Sequence, residues 1–142
     1  MIWAYLAMFA VSFAAATVLP LSSEAALAAL VVSEQAWLLP VAVATLGNVI
    51  GSATTFWIGW RAGGYASSHQ PRLAARMDRA SRLLRRWGSP VLLLAWVPII
   101  GDVLVGMAGA LRLPWPSALL WIAVGKAARY LVIAAAAYAA LG

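Results

Sequence analysis

No cysteine occurs in this chain, and its single histidine is His69, in a polar stretch. The first absence excludes a disulfide framework, a thiol nucleophile and a Cys-ligated metal. The second leaves no Ser-His-Asp set able to close within one apolar pocket, and no cluster of metal ligands. Charge is short as well: 10% of residues are Asp, Glu, Lys or Arg, against roughly a quarter in a soluble domain. Only four of these side chains are acidic. A conventional hydrolase or metalloenzyme is therefore not expected, and neither a catalytic residue, a cofactor nor a metal site is assigned.

What fills the chain instead is hydrocarbon. Of its 142 residues 65% are hydrophobic, and the mean hydropathy is +0.91. That balance places it among membrane proteins, and its length suits one membrane domain spanning 1–142. The opening run MIWAYLAMFAVSFAAATVL lacks the basic n-region of a secretory leader and reads as part of the mature fold.

A helix needs roughly 20 apolar residues to cross a bilayer. Two segments read as full crossings, at about 36–60 and 115–140. Two others are interrupted by a proline followed by an acid, in LPLSSE (residues 19–24) and VPIIGD (residues 97–102). Each of these reads as a pair of half-length helices, a re-entrant hairpin turning at Pro20, Ser22 and Ser23 in the first case and at Pro98 and Gly101 in the second. Broken backbone at membrane depth is tolerated only where protein or a wet cavity receives it. Four ordinary crossings with the acids near helix ends are the alternative.

Sliding the chain by 78 positions superposes Pro20 on Pro98, Glu24 on Asp102, Trp37 on Trp115 and Gly47 on Gly125. The expected fold is thus all-α and integral to the membrane. It has two inverted repeats, each a re-entrant hairpin plus one transmembrane helix, at about 3–60 and 89–140. Inverted repeats of broken helices are a transporter architecture.

Between the repeats, residues 61–88 hold seven arginines. Leu73, Met77, Ala80, Leu84 and Trp87 recur on one helical face behind Pro71, and arginines cover much of the rest. This is the pattern of an amphipathic helix lying among headgroups. The arginine excess puts the loop on the cytoplasmic side, with Arg112 on the same side in the hairpin layout. Anionic headgroups are the expected partner of this helix, and nucleic acid is not. Trp37, Trp60, Trp87 and Trp115 fall at membrane edges, while Trp57, Trp96 and Trp121 read as packing residues. Gly47, Gly51, Gly106 and Gly109 permit close helix contacts, which leaves a homodimer open.

Four ionisable groups remain at membrane depth: Glu24, Asp102, Lys126 and Arg129. A charge there costs on the order of 2.5–3.5 kcal/mol on insertion scales. Lys126 and Arg129 share a helix face and are expected to turn inward and meet the two acids. Asn48 matches Lys126 in the repeat, and Gly51 matches Arg129. Glu24 and Asp102 are candidates for proton coupling. Lys126, Arg129 and Asn48 are candidates for holding a phosphate, aided by the half-helix N-termini near Ser22-Ser23 and Gly101. A plain structural ion-pair lock is the competing reading of the same four charges.

LPLSSEAAL, ATLGNVIGS, the basic helix, LLLAWVPIIGD and AVGKAARY occur in that order. The series resembles the DedA superfamily, also called SNARE-associated or VTT proteins, and its short YqaA-like branch in particular. The resemblance implies two facing re-entrant hairpins in a bacterial inner membrane and a non-enzymatic role in moving lipids across the bilayer, including polyprenyl phosphates, with proton coupling proposed. Glu24 matches the family's first-hairpin acid. Asp102 stands where many larger relatives carry arginine, so Lys126 and Arg129 would supply the positive charge. A proton-coupled carrier of a small cation or osmolyte, and a non-catalytic assembly factor, are the other readings.

Overall fold

A computed structural model describes residues 2–17, 23–62, 71–97 and 100–142. The described residues are almost wholly helical: α1 Ile2–Thr17, α2 Ser23–Glu34, α3 Leu38–Ala62, α4 Pro71–Trp87, a 3₁₀ helix Ser89–Trp96, α5 Ile100–Ala110 and α6 Trp115–Ala139. Pro20, Ser22, Gly63, Gly64, His69 and Pro98 lie outside the described residues, as do the side chains of Leu73, Met77 and Ala80.

The helix ends follow local chemistry. Glu24 lies in the first turn of α2, where an acid complements the helix dipole. Pro71 opens α4, and Gly88 closes it at φ 72°, its N–H donating to the Leu84 carbonyl at 2.8 Å. The end of α5 is a Schellman motif. Arg112 N–H donates to Gly109 at 2.9 Å and Leu113 N–H to Ala108 at 3.1 Å. Pro114 then blocks continuation, and α6 starts at once.

Helices α3 and α6 have 25 residues each and are long and apolar enough to cross a membrane. At 1.5 Å per residue each is ~37 Å long, against about 30 Å of hydrocarbon. Leu38, Leu46, Ile50 and Ile58 on α3, and Leu120, Val124, Leu131 and Val132 on α6, stay exposed. Apolar exposure of that extent marks a surface that meets lipid or another protein. Trp57 and Trp96 also correct the sequence reading. They are 56% and 48% exposed rather than packed inside.

The arm Ser89–Trp96 is a 3₁₀ helix throughout, an unusually long run of that form. Pro90 sits in the first turn, where no N–H is needed within the helix. The narrower 3₁₀ winding also stretches eight residues to ~16 Å, where an α-helix would cover ~12 Å.

The chain divides into two compact units, residues 1–51 with 126–142, and residues 52–125. The divisions fall inside the long helices. Residues 38–51 of α3 and 126–139 of α6 join α1 and α2 in the first unit; residues 52–62 and 115–125 join α4, the 3₁₀ helix and α5 in the second. In the first, Met8, Leu27, Leu30, Val31, Ala44, Tyr130 and Ala134 form the core. In the second, Phe56, Leu84, Leu92, Leu104, Val105, Ala118 and Ile122 do so.

Gly47 and Gly125, matched by the 78-residue register, have matching surroundings. A Cβ at Gly47 would stand 2.6 Å from the Phe9 carbonyl oxygen on α1, and one at Gly125 would stand 2.5 Å from the Leu93 carbonyl oxygen on the 3₁₀ helix. Each glycine thus lets a long helix touch the backbone of a short one. Farther along α3, Phe56 and Gly59 close on Gly109 and Gly106 of α5. Farther along α6, Tyr130 and Ala134 pack with Leu27, Leu30 and Val31 of α2. Gly47, Gly51 and Gly109 therefore serve contacts within the chain.

Candidate functional site

The start of α2 and the middle of α6 meet through two consecutive residues on each side. The Arg129 guanidinium pairs with the Glu24 carboxylate. Beside that pair, the Ser23 and Tyr130 hydroxyls share a buried hydrogen bond of 2.9 Å. The Glu24 and Arg129 side chains are 35% and 19% exposed, so the pair is neither sealed in nor open. Arg129 also lies near the face of Tyr130, 5.9 Å from the ring centroid, within cation–π range.

Helical geometry explains the grouping on α6. Lys126 precedes Arg129 by three residues and shares its face. Lys126 is 2% exposed although its helix is long and apolar, and it is engaged rather than free. On α2, Ser23 and Glu24 belong to the first turn, where backbone N–H groups lack helical partners.

Asn48 is buried on α3, and its Nδ2–H donates to the Ser12 carbonyl of α1 at 2.8 Å. Its Oδ1 and the Ser12 hydroxyl have no hydrogen-bond partner among the described residues. The amide thus clamps α1 to α3 at the level of Gly47 and Gly51. Asp102 belongs to the second unit, in the first turn of α5, and is partly exposed. Gly101 before it is buried tightly against the backbone of Ala95. Of the residues expected to turn the hairpins, Ser23 and Gly101 are described, and Pro20, Ser22 and Pro98 are not.

Two contributors carry no role in the sequence reading: Tyr130 and Ser12. Tyr130 stood within the quoted AVGKAARY. The available signal was its hydroxyl, since a buried tyrosine needs a hydrogen-bond partner. Ser12 offered no signal, because its contribution is a backbone carbonyl.

Two long apolar helices, an apolar exterior and a charged pair set among the helices define a helical membrane protein. Residues 5–139 match the VTT domain. The inner membrane protein YqaA of Escherichia coli (strain K12) is 37% identical over 132 residues, covering 91% of this chain and 87% of that protein. An uncharacterized protein of Haemophilus influenzae is 36% identical over 138 residues, covering 89% of this chain and 82% of the other. No solved structure matches the chain. The chain belongs to the VTT-domain, or DedA, family.

Proposed function

We propose that this protein carries an anionic lipid headgroup, of the polyprenyl phosphate class, across a bacterial inner membrane in exchange for protons. The observation that carries the reading is the Glu24–Arg129 pair, with Lys126 buried one turn earlier on the same helix. A lone buried ion pair adds little to stability compared with apolar packing. Charges retained at membrane depth mark substrate paths and proton relays by default. In this mechanism Arg129 and Lys126 hold the phosphate, and Glu24 and Asp102 take up and release protons. A protonated Glu24 frees Arg129 for phosphate; an ionised Glu24 reclaims it and expels the substrate. Asn48 is a further candidate for the phosphate, and the first turn of α2 lends backbone N–H donors.

The architecture belongs to the same proposal: two inverted repeats, each with a re-entrant hairpin and one crossing helix. Exchange of parts supports it. Each long helix packs its first half on the first arm of its own repeat's hairpin, through Gly47 or Gly125. Each packs its second half on the second arm of the other hairpin, α3 on α5 and α6 on α2. Four independent crossings would have no reason to repeat that pattern at matched glycines. Helix α4 lies on the cytoplasmic surface in this layout, with exposed Arg79, Arg82, Arg85 and Arg86 toward anionic headgroups.

The second reading is an ion-pair lock that fastens α2 to α6. The adjacent Ser23–Tyr130 bond favours it, because it adds a fastening with no charge to move. Headgroup transfer in vesicles under a pH gradient separates the two. The transport reading requires Asp102→Asn and Lys126→Met to lose transfer. If both keep full activity, the mechanism is wrong.

A further inference from the structure

Three tryptophans from two helices share one groove in the second unit. Trp57 and Trp60 near the end of α3, and Trp115 at the start of α6, line an open groove of about 380 Å³ with Ala53, Phe56 and Leu119. Two guanidiniums stack on indoles that line it: Arg61 over the Trp57 ring at 4.3 Å from the centroid, and Arg112 over the Trp60 ring at 5.4 Å. Both arginines are exposed. The acids of this unit are Asp78 and Asp102. Asp102 precedes Arg112 along α5 by ~15 Å.

Arg112 carries a second signal. It closes the Schellman motif at φ 55°, in the left-handed conformation that glycine adopts freely and L-residues resist. After α4 the positive φ of 72° falls on a glycine, Gly88. Arginine at residue 112 is held against the backbone preference, and its side chain goes to Trp60.

We infer that this groove binds one anionic glycerophospholipid, with its phosphate between Arg61 and Arg112 and an acyl chain along the three indoles. The groove uses the last turns of one long helix and the first turns of the other, near the level at which headgroups meet tryptophan belts. A guanidinium stacked on a ring keeps its edge donors for phosphate oxygens. A zwitterionic lipid covers the same apolar area but brings its own cation toward the two arginines. This site is separate from the Glu24–Arg129 pair, and it stands whether or not that pair moves a substrate.

The test is native mass spectrometry of the full-length protein in detergent, offered equal phosphatidylglycerol and phosphatidylcholine. Two arginines at the surface predict a preference for phosphatidylglycerol of roughly tenfold or more. Arg61→Gln with Arg112→Gly is expected to abolish that preference, whereas Arg85→Gln with Arg86→Gln on α4, whose arginines meet headgroups without an apolar groove, should lower it by less. Arg112→Gly alone suits the backbone, so it folds at least as stably in lipid-free detergent while the preference falls severalfold. A preference that survives Arg112→Gly and the Arg61–Arg112 double change, or that is lost equally with Arg85 and Arg86, overturns the site. Inorganic phosphate that binds there as tightly as the lipid also overturns it, because the acyl chain and the tryptophans would then add nothing.

Discussion

Ser23 and Tyr130 stand 107 positions apart in sequence and share a buried 2.9 Å hydrogen bond. The bond fixes the register of α6 against α2, and that register brings Arg129 to Glu24. Tyr130→Phe should lower thermal stability in detergent by about 1 kcal/mol, the usual scale for a hydrogen bond between membrane helices. Adding Ser23→Ala to it should cost less than the sum of the single changes, as for two residues in one bond.

The ion pair predicts a different pattern. Glu24→Gln and Arg129→Met should each destabilise by roughly 2–4 kcal/mol, because each leaves an unpaired group among apolar helices. The double variant should recover most of the loss. Unfolding midpoints of the three variants check this. Single losses that simply add in the double variant would show that the pairing has no energetic weight.

Gly47 and Gly125 should fail alike. A Cβ on either meets a carbonyl oxygen of a neighbouring helix at 2.6 or 2.5 Å, and backbone cannot step aside as a side chain can. Alanine at either site should cost roughly 2 kcal/mol, the scale of overpacking. Gly106 is the control, since a Cβ there meets only the Thr55 methyl at 3.8 Å. Gly106→Ala should be neutral, or stabilise by up to about 1 kcal/mol through helix propensity. Yield and melting temperature in one detergent report all three.

The hairpin layout is tested by single cysteines, which are unambiguous in a chain with no native cysteine. Glu24→Cys and Asp102→Cys should both react with a small membrane-impermeant thiol reagent, through a water-filled cavity. Four ordinary crossings would leave residue 24 reactive at the outer face and residue 102 silent in mid-helix.

The two long helices were legible to within two residues at each end because charge, hydropathy and length agree there. They were read at about 36–60 and 115–140 and lie at Leu38–Ala62 and Trp115–Ala139. Helix α4 was legible from Pro71, because its apolar spacing and its arginines give the same period. The 3₁₀ form of Ser89–Trp96 was not, since SPVLLLAW is apolar on every side and carries no period to read. Trp57 and Trp96 were misplaced for a related reason: hydropathy says that a residue avoids water, and lipid satisfies that as well as a protein core does. The Ser23–Tyr130 bond could not be read at all, because the choice of partner is made by tertiary packing between distant segments.

Lipid transfer by the Glu24→Gln, Arg129→Met double variant separates a transporting ion pair from a purely structural one. The variant should be stable enough to reconstitute, so a loss of function cannot be charged to misfolding. Proteoliposomes containing it should fail to move a polyprenyl phosphate under a pH gradient that drives the unaltered protein. Transfer at the unaltered rate would contradict a transport role and leave the pair as a lock between α2 and α6.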